Sequence, residues 1–145
     1  LLMRLSKRVL HQVAQPVDYT QTKFVRDLAQ ALFTTMANKQ GIGLAAPQCG
    51  IPRRIFVMDT DQQRRVVVNP EILTVSKESC IMTEGCLSFP QEYLAISRPT
   101  QITVQYRDVA GQLVNETLTG LSARCFLHEF DHLNGITMHQ KKEQL

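Results

Sequence analysis

In His128-Glu129-Phe130-Asp131-His132 two imidazoles stand four residues apart. On a helix that spacing puts both on one face, within reach of one metal ion. Glu129, one residue past the first imidazole, is placed to reach a water on that ion. With four His and seven Glu in 145 residues, the HExxH pattern arises by chance about once in two hundred such chains. A hydrolytic site of this kind has three protein ligands and one open position. His11, His139 and several carboxylates are candidates for the third. So is Cys86, set in Glu84-Gly85-Cys86-Leu87-Ser88-Phe89-Pro90. Gly85 permits close backbone approach and Pro90 ends the segment, so a rigid non-helical turn can present the thiolate; a cysteine taken alone is more often plain core. A third segment, Gly41-Ile42-Gly43-Leu44-Ala45-Ala46-Pro47-Gln48, reads as a compact loop that another backbone can approach, and Gln48 is a neutral donor for an oxygen. It lacks the Lys and Ser/Thr of a phosphate-binding loop and the third glycine of a dinucleotide fold.

These segments need elements to hold them. Asp18 and Gln21 read as N-cap and capping box. Phe24, Leu28, Leu32 and Met36 then recur as one apolar stripe of a helix that ends near Asn38 and is stopped by Gly41. Strands are expected at 54–59 and 65–69, bounded by Pro52 and Pro70, and again at 72–79 and 101–107. The last alternates Ile102, Val104 and Tyr106 with Thr103, Gln105 and Arg107. Asp108-Val109-Ala110-Gly111 turns it back into 112–119 as an antiparallel hairpin. A second helix is expected over 121–134, with Leu121, Cys125, His128 and His132 on one face and Gly135 as C-cap. One early helix, many antiparallel strands and one late helix make the fold α+β. The strands pack around a central metal-binding helix in a single domain, 1–145.

At 43% hydrophobic, 20% charged and 6% aromatic, 145 residues suit one domain that buries a core without disulfide staples. No apolar run approaches the ~20 residues a membrane span needs. Leu1-Leu2-Met3-Arg4 has neither the apolar region nor the cleavage site of a secretion leader, and the absence of Met at position 1 suits a trimmed chain. The net charge of +3 is split as +5 over residues 1–72 and −2 over residues 73–145. That tilt is too small and too dispersed to argue nucleic-acid binding, and Arg53-Arg54 and Arg64-Arg65 read as solvated turn charges. With nothing signalling secretion, Cys49, Cys80, Cys86 and Cys125 are expected to be reduced.

Taken together, the three segments resemble one family, the peptide deformylases. Its short motifs are a Gly-x-Gly-x-Ala-Ala-x-Gln loop, a Glu-Gly-Cys-x-Ser turn and a His-Glu-x-Asp-His-Leu-x-Gly helix. Here they stand as GIGLAAPQ (41–48), EGCLS (84–88) and HEFDHLNG (128–135), complete and in the family's order. The resemblance implies removal of the formyl group from N-formylmethionine at the start of new proteins. It implies Cys86, His128 and His132 as metal ligands with water in the fourth position. The ion is expected to be Fe²⁺, with Zn²⁺, Ni²⁺ or Co²⁺ able to take its place. Glu129 becomes the general base and then the acid, while Gln48 and the Leu87 N–H form the oxyanion hole. Ile42, Met82, Leu121 and Cys125 surround the methionine side chain, and the peptide lies extended against Gly43 as an added strand. The expected partners are N-formylmethionyl nascent peptides, met by a cytoplasmic monomer with no membrane or direct nucleic-acid contact. Bacterial members commonly continue past the metal helix with a long basic helix that resembles a ribosome-docking element. This chain stops at Lys141-Lys142-Glu143-Gln144-Leu145, so ribosome docking is not expected, and the compact form is similar to members encoded by some bacteriophages.

Two other readings make different demands. An HExxH peptidase takes its third ligand from a downstream His or Glu and leaves Cys86 and Gln48 without a role. A non-catalytic metal-stabilised domain closes its site with four ligands and has no need of Glu129 or Gln48. One contact is expected from charge alone. Glu84, two residues before Cys86, is costly if buried unpaired, so a link to Arg98, in the turn before the next strand, is expected to brace the Cys86 turn.

Overall fold

The computed structural model describes residues 2–142; Leu1 and the tail residues Glu143, Gln144 and Leu145 lie outside the described residues. The first helix, α1 (Thr22–Asn38), starts later than Asp18 suggested. Asp18 is used locally instead: its Oδ1 accepts from the Thr20 N–H at 3.0 Å and the Thr20 hydroxyl at 2.6 Å, a tight turn ahead of the helix. The buried stripe of α1 is Val25, Leu28, Ala29, Leu32, Phe33 and Met36. Phe24, expected within it, is 44% exposed, because a 3.6-residue helix drifts away from a strict four-residue repeat. At the helix end Gln40, not Gly41, takes the positive φ of 58°. Gly41 provides space instead, since a Cβ there would lie 2.6 Å from Leu87 Cδ1.

Seven strands follow: β1 (Gly43–Ala45), β2 (Ile55–Thr60), β3 (Gln63–Val75), β4 (Ser79–Cys86), β5 (Phe89–Pro99), β6 (Gln101–Arg107) and β7 (Leu113–Thr119). Five form an antiparallel sheet in the order β1-β2-β3-β6-β7, and β4 and β5 form a separate hairpin. The two strands expected at 65–69 and 72–79 are one, β3, which passes through Pro70. The ladder shifts register between Val68 and Glu71, and Asn69 has φ 50°, so the proline sits at a bulge where no ladder N–H is demanded of it. Pro90 likewise lies inside β5 and does not end the segment. Cys86 pairs with Phe89 across the two-residue turn Leu87-Ser88, and the ladder then shifts to Gly85 opposite Tyr93. The β6–β7 hairpin is antiparallel as expected, with Asp108 Oδ1 accepting from the Ala110 and Gln112 N–H groups at 2.9 Å each.

The large sheet is covered on both faces. Ile55, Val57 and Val68 pack with α1, while Phe56, Met58, Val67, Ile102, Val104 and Tyr106 pack with the second helix, α2 (Gly120–Leu133). That alternation explains why β2 reads as an unbroken apolar run. Helix α2 also touches β5 of the hairpin, so it runs between the two sheets and is buried at nearly every position from Ser122 to Leu133. Asn134 is its C-cap, and Gly135 follows with φ 73°, its Cα so close to the His11 backbone that a Cβ would stand 2.7 Å from it. Two of the four arginines expected in solvent are structural. Arg54 Nη1 donates to the Leu133 carbonyl at 2.9 Å, and Arg65, 9% exposed, forks onto Glu116 through Nε at 3.2 Å to each oxygen. No described helix is long and apolar enough to cross a membrane.

Candidate active site

Helix α2 carries His128, Glu129 and His132 into the interior, and β4 ends on Cys86 against it. The Cys86 sulfur lies 3.4 Å from His132 Nε2. Ligand atoms of Cys86, His128 and His132 all fall within 4.8 Å of one another, the group with metal-holding geometry among the described residues. A tetrahedral ion with bonds of about 2.0–2.3 Å keeps its donors roughly 3.3–3.8 Å apart; the Cys86–His132 separation of 3.4 Å lies in that range, and the trio is close enough to share one divalent ion. The chemistry agrees. Glu84 Oε1 lies 2.8 Å from His128 Nδ1 and keeps that nitrogen protonated. Burial works to lower the His128 pKa, but the bonds to Cys86 and Glu84 raise it to about 10, so an ion held at Nε2 would take the place of the second proton. Burial, followed by the charges of His128 and Arg98, lowers the His132 pKa to about 3, so its imidazole is neutral and its Nε2 is free to ligate. His11 is exposed, and His139 is held by Glu92 at 2.8 Å; neither joins the group.

Glu129 is 4% exposed, and its Oε1 has no hydrogen-bond partner. Burial raises its carboxyl to about 7, against the opposing charge of His128. Such a group can both take and return a proton near neutrality. Gly43 leaves room for it: a Cβ there would lie 2.7 Å from Glu129 Oε2 and 2.8 Å from the Cys125 sulfur. Gln48 closes a short 3₁₀ turn, Ala46–Gln48, directly after β1, and its side-chain oxygen accepts from the Ala45 N–H at 2.9 Å.

These groups open on one cavity of about 820 Å³. Ile42, Gly43, Gln48, Glu84, Cys86, Leu87, Leu121, Cys125, His128 and Glu129 line it. Leu121 is half exposed at the rim. Met82 is a correction: its side chain is half exposed and is not among the lining residues. A few residues along the strand separate it from the Cys86 end of β4, which a sequence cannot show before the hairpin is placed.

The expected Glu84–Arg98 link is present, with Arg98 Nε 2.5 Å and Nη2 2.9 Å from the carboxylate. Arg98 belongs to β5, however, and not to a turn. The network is also larger than expected. Arg124 Nη1 donates to Glu84 at 2.5 Å, and Arg98 Nη1 donates to Asp131 at 3.0 Å. Burial works to raise the Glu84 carboxyl, but the hydrogen bonds from His128 and Arg98 overcome it and hold it at about 2. Arg124 and Asp131 were missed by the motif reading. Their signal was there: two charged residues inside a helix whose apolar neighbours leave no solvated face.

Comparison with known proteins gives this geometry a lineage. The family model described as polypeptide deformylase matches residues 2–145. The peptide deformylase of Thermotoga neapolitana is 47% identical over 128 residues, which is 88% of this chain and 77% of that protein. Among solved structures, the peptide deformylase of Thermotoga maritima superposes with a TM-score of 0.95 at 39% identity, covering 99% of both chains. A class I type b peptide deformylase from Acinetobacter baumannii with Met-Ala-Ser bound gives 0.93 at 33% identity, over 97% and 98% of the two chains. A family match over that much of the chain, on a fold shared almost residue for residue, leaves one assignment: this chain belongs to the polypeptide deformylases, metal-dependent enzymes that remove the formyl group from an N-terminal formylmethionine.

Proposed function

We propose that Cys86 Sγ, His128 Nε2 and His132 Nε2 hold the divalent ion, with Fe²⁺ as the working metal, and that the cavity beside them takes the start of an N-formylmethionyl nascent chain. The observation that carries this reading is the convergence of a thiol, an imidazole and an unpartnered buried carboxylate on a single cavity, with a second imidazole close behind the thiol. When bound, the ion supplies a Lewis acid for the attacking water and the formyl carbonyl. Glu129 takes the proton from that water and then delivers one to the departing amine, a poor leaving group unless protonated. The Gln48 Nε2–H and the Leu87 N–H donate to the carbonyl oxygen as it gains charge. The methionine side chain lies among Ile42, Leu121 and Cys125, and the peptide runs extended along Gly43. This is supported by β1 being at the end of its sheet, with Gly43 lining the cavity. Glu84 and Arg98 brace the Cys86 turn against α2. The chain acts as one catalytic domain, 1–145, and as a monomer in the cytoplasm.

The test is formate release from N-formyl-Met-Ala-Ser, with the N-acetyl peptide as control. Release from the formyl peptide alone is expected, because a hydrogen in place of a methyl lets the carbonyl enter a tight cleft. For the metal, the ion is stripped anaerobically and each of Fe²⁺, Ni²⁺, Co²⁺ and Zn²⁺ is reloaded to equal occupancy. A zinc form as fast as the iron form, in a preparation indifferent to air, would remove Fe²⁺ as the working ion.

A further inference from the structure

A glutamine amide has two N–H bonds to give, and Gln48 is using both. Its oxygen, anchored on the Ala45 N–H at 2.9 Å, decides which end of the amide is nitrogen. Nε2 then donates to Ser88 Oγ at 3.1 Å and toward Cys86 Sγ at 3.5 Å. Gln48 and Ser88 are 1% and 6% exposed, so water does not compete for these bonds. The two contacts differ in kind. At 3.1 Å a hydroxyl is an ordinary acceptor, whereas a sulfur at 3.5 Å holds its hydrogen weakly.

We propose that Ser88 is a positioning residue for deformylation: its hydroxyl oxygen pins one N–H of Gln48, so that the other, loosely held on sulfur, is the one free to meet the oxygen of the formyl carbonyl. The inference rests on the reading of Gln48 as an oxyanion donor and adds what aims it. The terminal torsion of a glutamine is broad, so an amide held at its oxygen alone can tilt. A second anchor at nitrogen removes that freedom before the reaction, and a donor aimed in advance stabilises developing charge without reorganising. Topology supports the pairing. Ser88 lies in the two-residue turn directly after Cys86, so the hairpin that brings the thiol to α2 also brings the anchor to the 3₁₀ turn carrying Gln48.

The test is a double-mutant cycle on the metal-loaded enzyme with Ser88→Ala, Gln48→Ala and both together. Formate release is followed against N-formyl-Met-Ala-Ser concentration, with metal content and melting temperature recorded for each protein. Ser88→Ala is expected to lower kcat about tenfold, the order set by one misdirected hydrogen bond in a buried site, with KM and metal content unchanged. In the Gln48→Ala background the same change should cost less than about twofold, because nothing is left to aim. Ser88→Cys, whose sulfur accepts weakly, should behave as the alanine variant does. If Ser88→Ala lowers kcat equally in both backgrounds, or acts through KM or metal content, Ser88 does not position Gln48 and the inference falls while Gln48 keeps its role. A Gln48→Ala enzyme with full kcat removes the oxyanion reading itself, and this inference with it.

Discussion

Glu129 and the two histidines lie within about a turn and a half of one helix, yet their surroundings separate their tasks. The histidines present Nε2 to the Cys86 sulfur's neighbourhood, whereas the Glu129 carboxylate stands against Gly43 and Cys125 and is outside the clustered donor atoms. Glu129→Ala should therefore abolish turnover by at least ~100-fold, the lower range for a lost general base and acid, while the ion content stays at the wild-type level. Formate release and elemental analysis on the same preparation check it. An enzyme that loses its metal with Glu129 would make that residue a ligand, and the assignment of roles would be wrong.

Between elements, the strongest bond is electrostatic. The Glu84 carboxylate of β4 takes Arg98 from β5 together with Arg124 and His128 from α2, all nearly buried. Removing that carboxylate leaves two guanidinium groups inside the protein, one of them with only Asp131 to answer it. Glu84→Ala should cost about 3–5 kcal/mol, as breaking buried pairs does, read from the urea midpoint. Asp27→Ala is the control, since the exposed Lys23–Asp27 pair on α1 is screened by water and should leave the midpoint where it was. A second network joins three strands of the large sheet. The Tyr106 hydroxyl of β6 donates to Glu116 of β7, which also receives Arg65 of β3. Burial, then the bond to Glu116 and its charge, push the phenol well above its ordinary value of 10.0. A folded-state pKa above the unfolded one means the stabilisation is whole below about 10 and drains away as pH rises beyond it. Wild-type stability should thus fall through that window, and Tyr106→Phe should flatten the fall; parallel slopes for the two proteins would refute it.

For the molecule as a whole, the ligand set is a clasp. Cys86 ends the hairpin, His128 and His132 sit on the helix between the sheets, and a bound ion would join the two parts. Only the folded chain brings them together, so the ion stabilises the native state by mass action. Stripping it with a chelator should lower the melting temperature on the order of 5–10 °C for a domain of this size, and readdition of Ni²⁺ or Co²⁺ should restore it. An unchanged melting curve would mean that the ion does not clasp the hairpin to the helix.

Much of this was legible in the chain itself. His128, Glu129 and His132 are close in sequence, and helical geometry alone puts the imidazoles on one face. The 101–119 hairpin was equally local, carried by alternation and an Asp-to-Gly turn, and the α+β class came from counting such segments. What stayed open was every contact that crosses the fold. Cys86 meets His132 across 46 residues and Glu84 meets His128 across 44, so no periodicity could choose between a core thiol and a ligand. The same limit explains Met82 away from the cavity, β3 running through Pro70, and Arg124 and Asp131 inside α2. Spacing along a chain reports the neighbours that a helix or strand makes by itself. Which faces those elements turn to one another, and so which charges are buried together around the site, is decided only when the hairpin and the sheet close on α2.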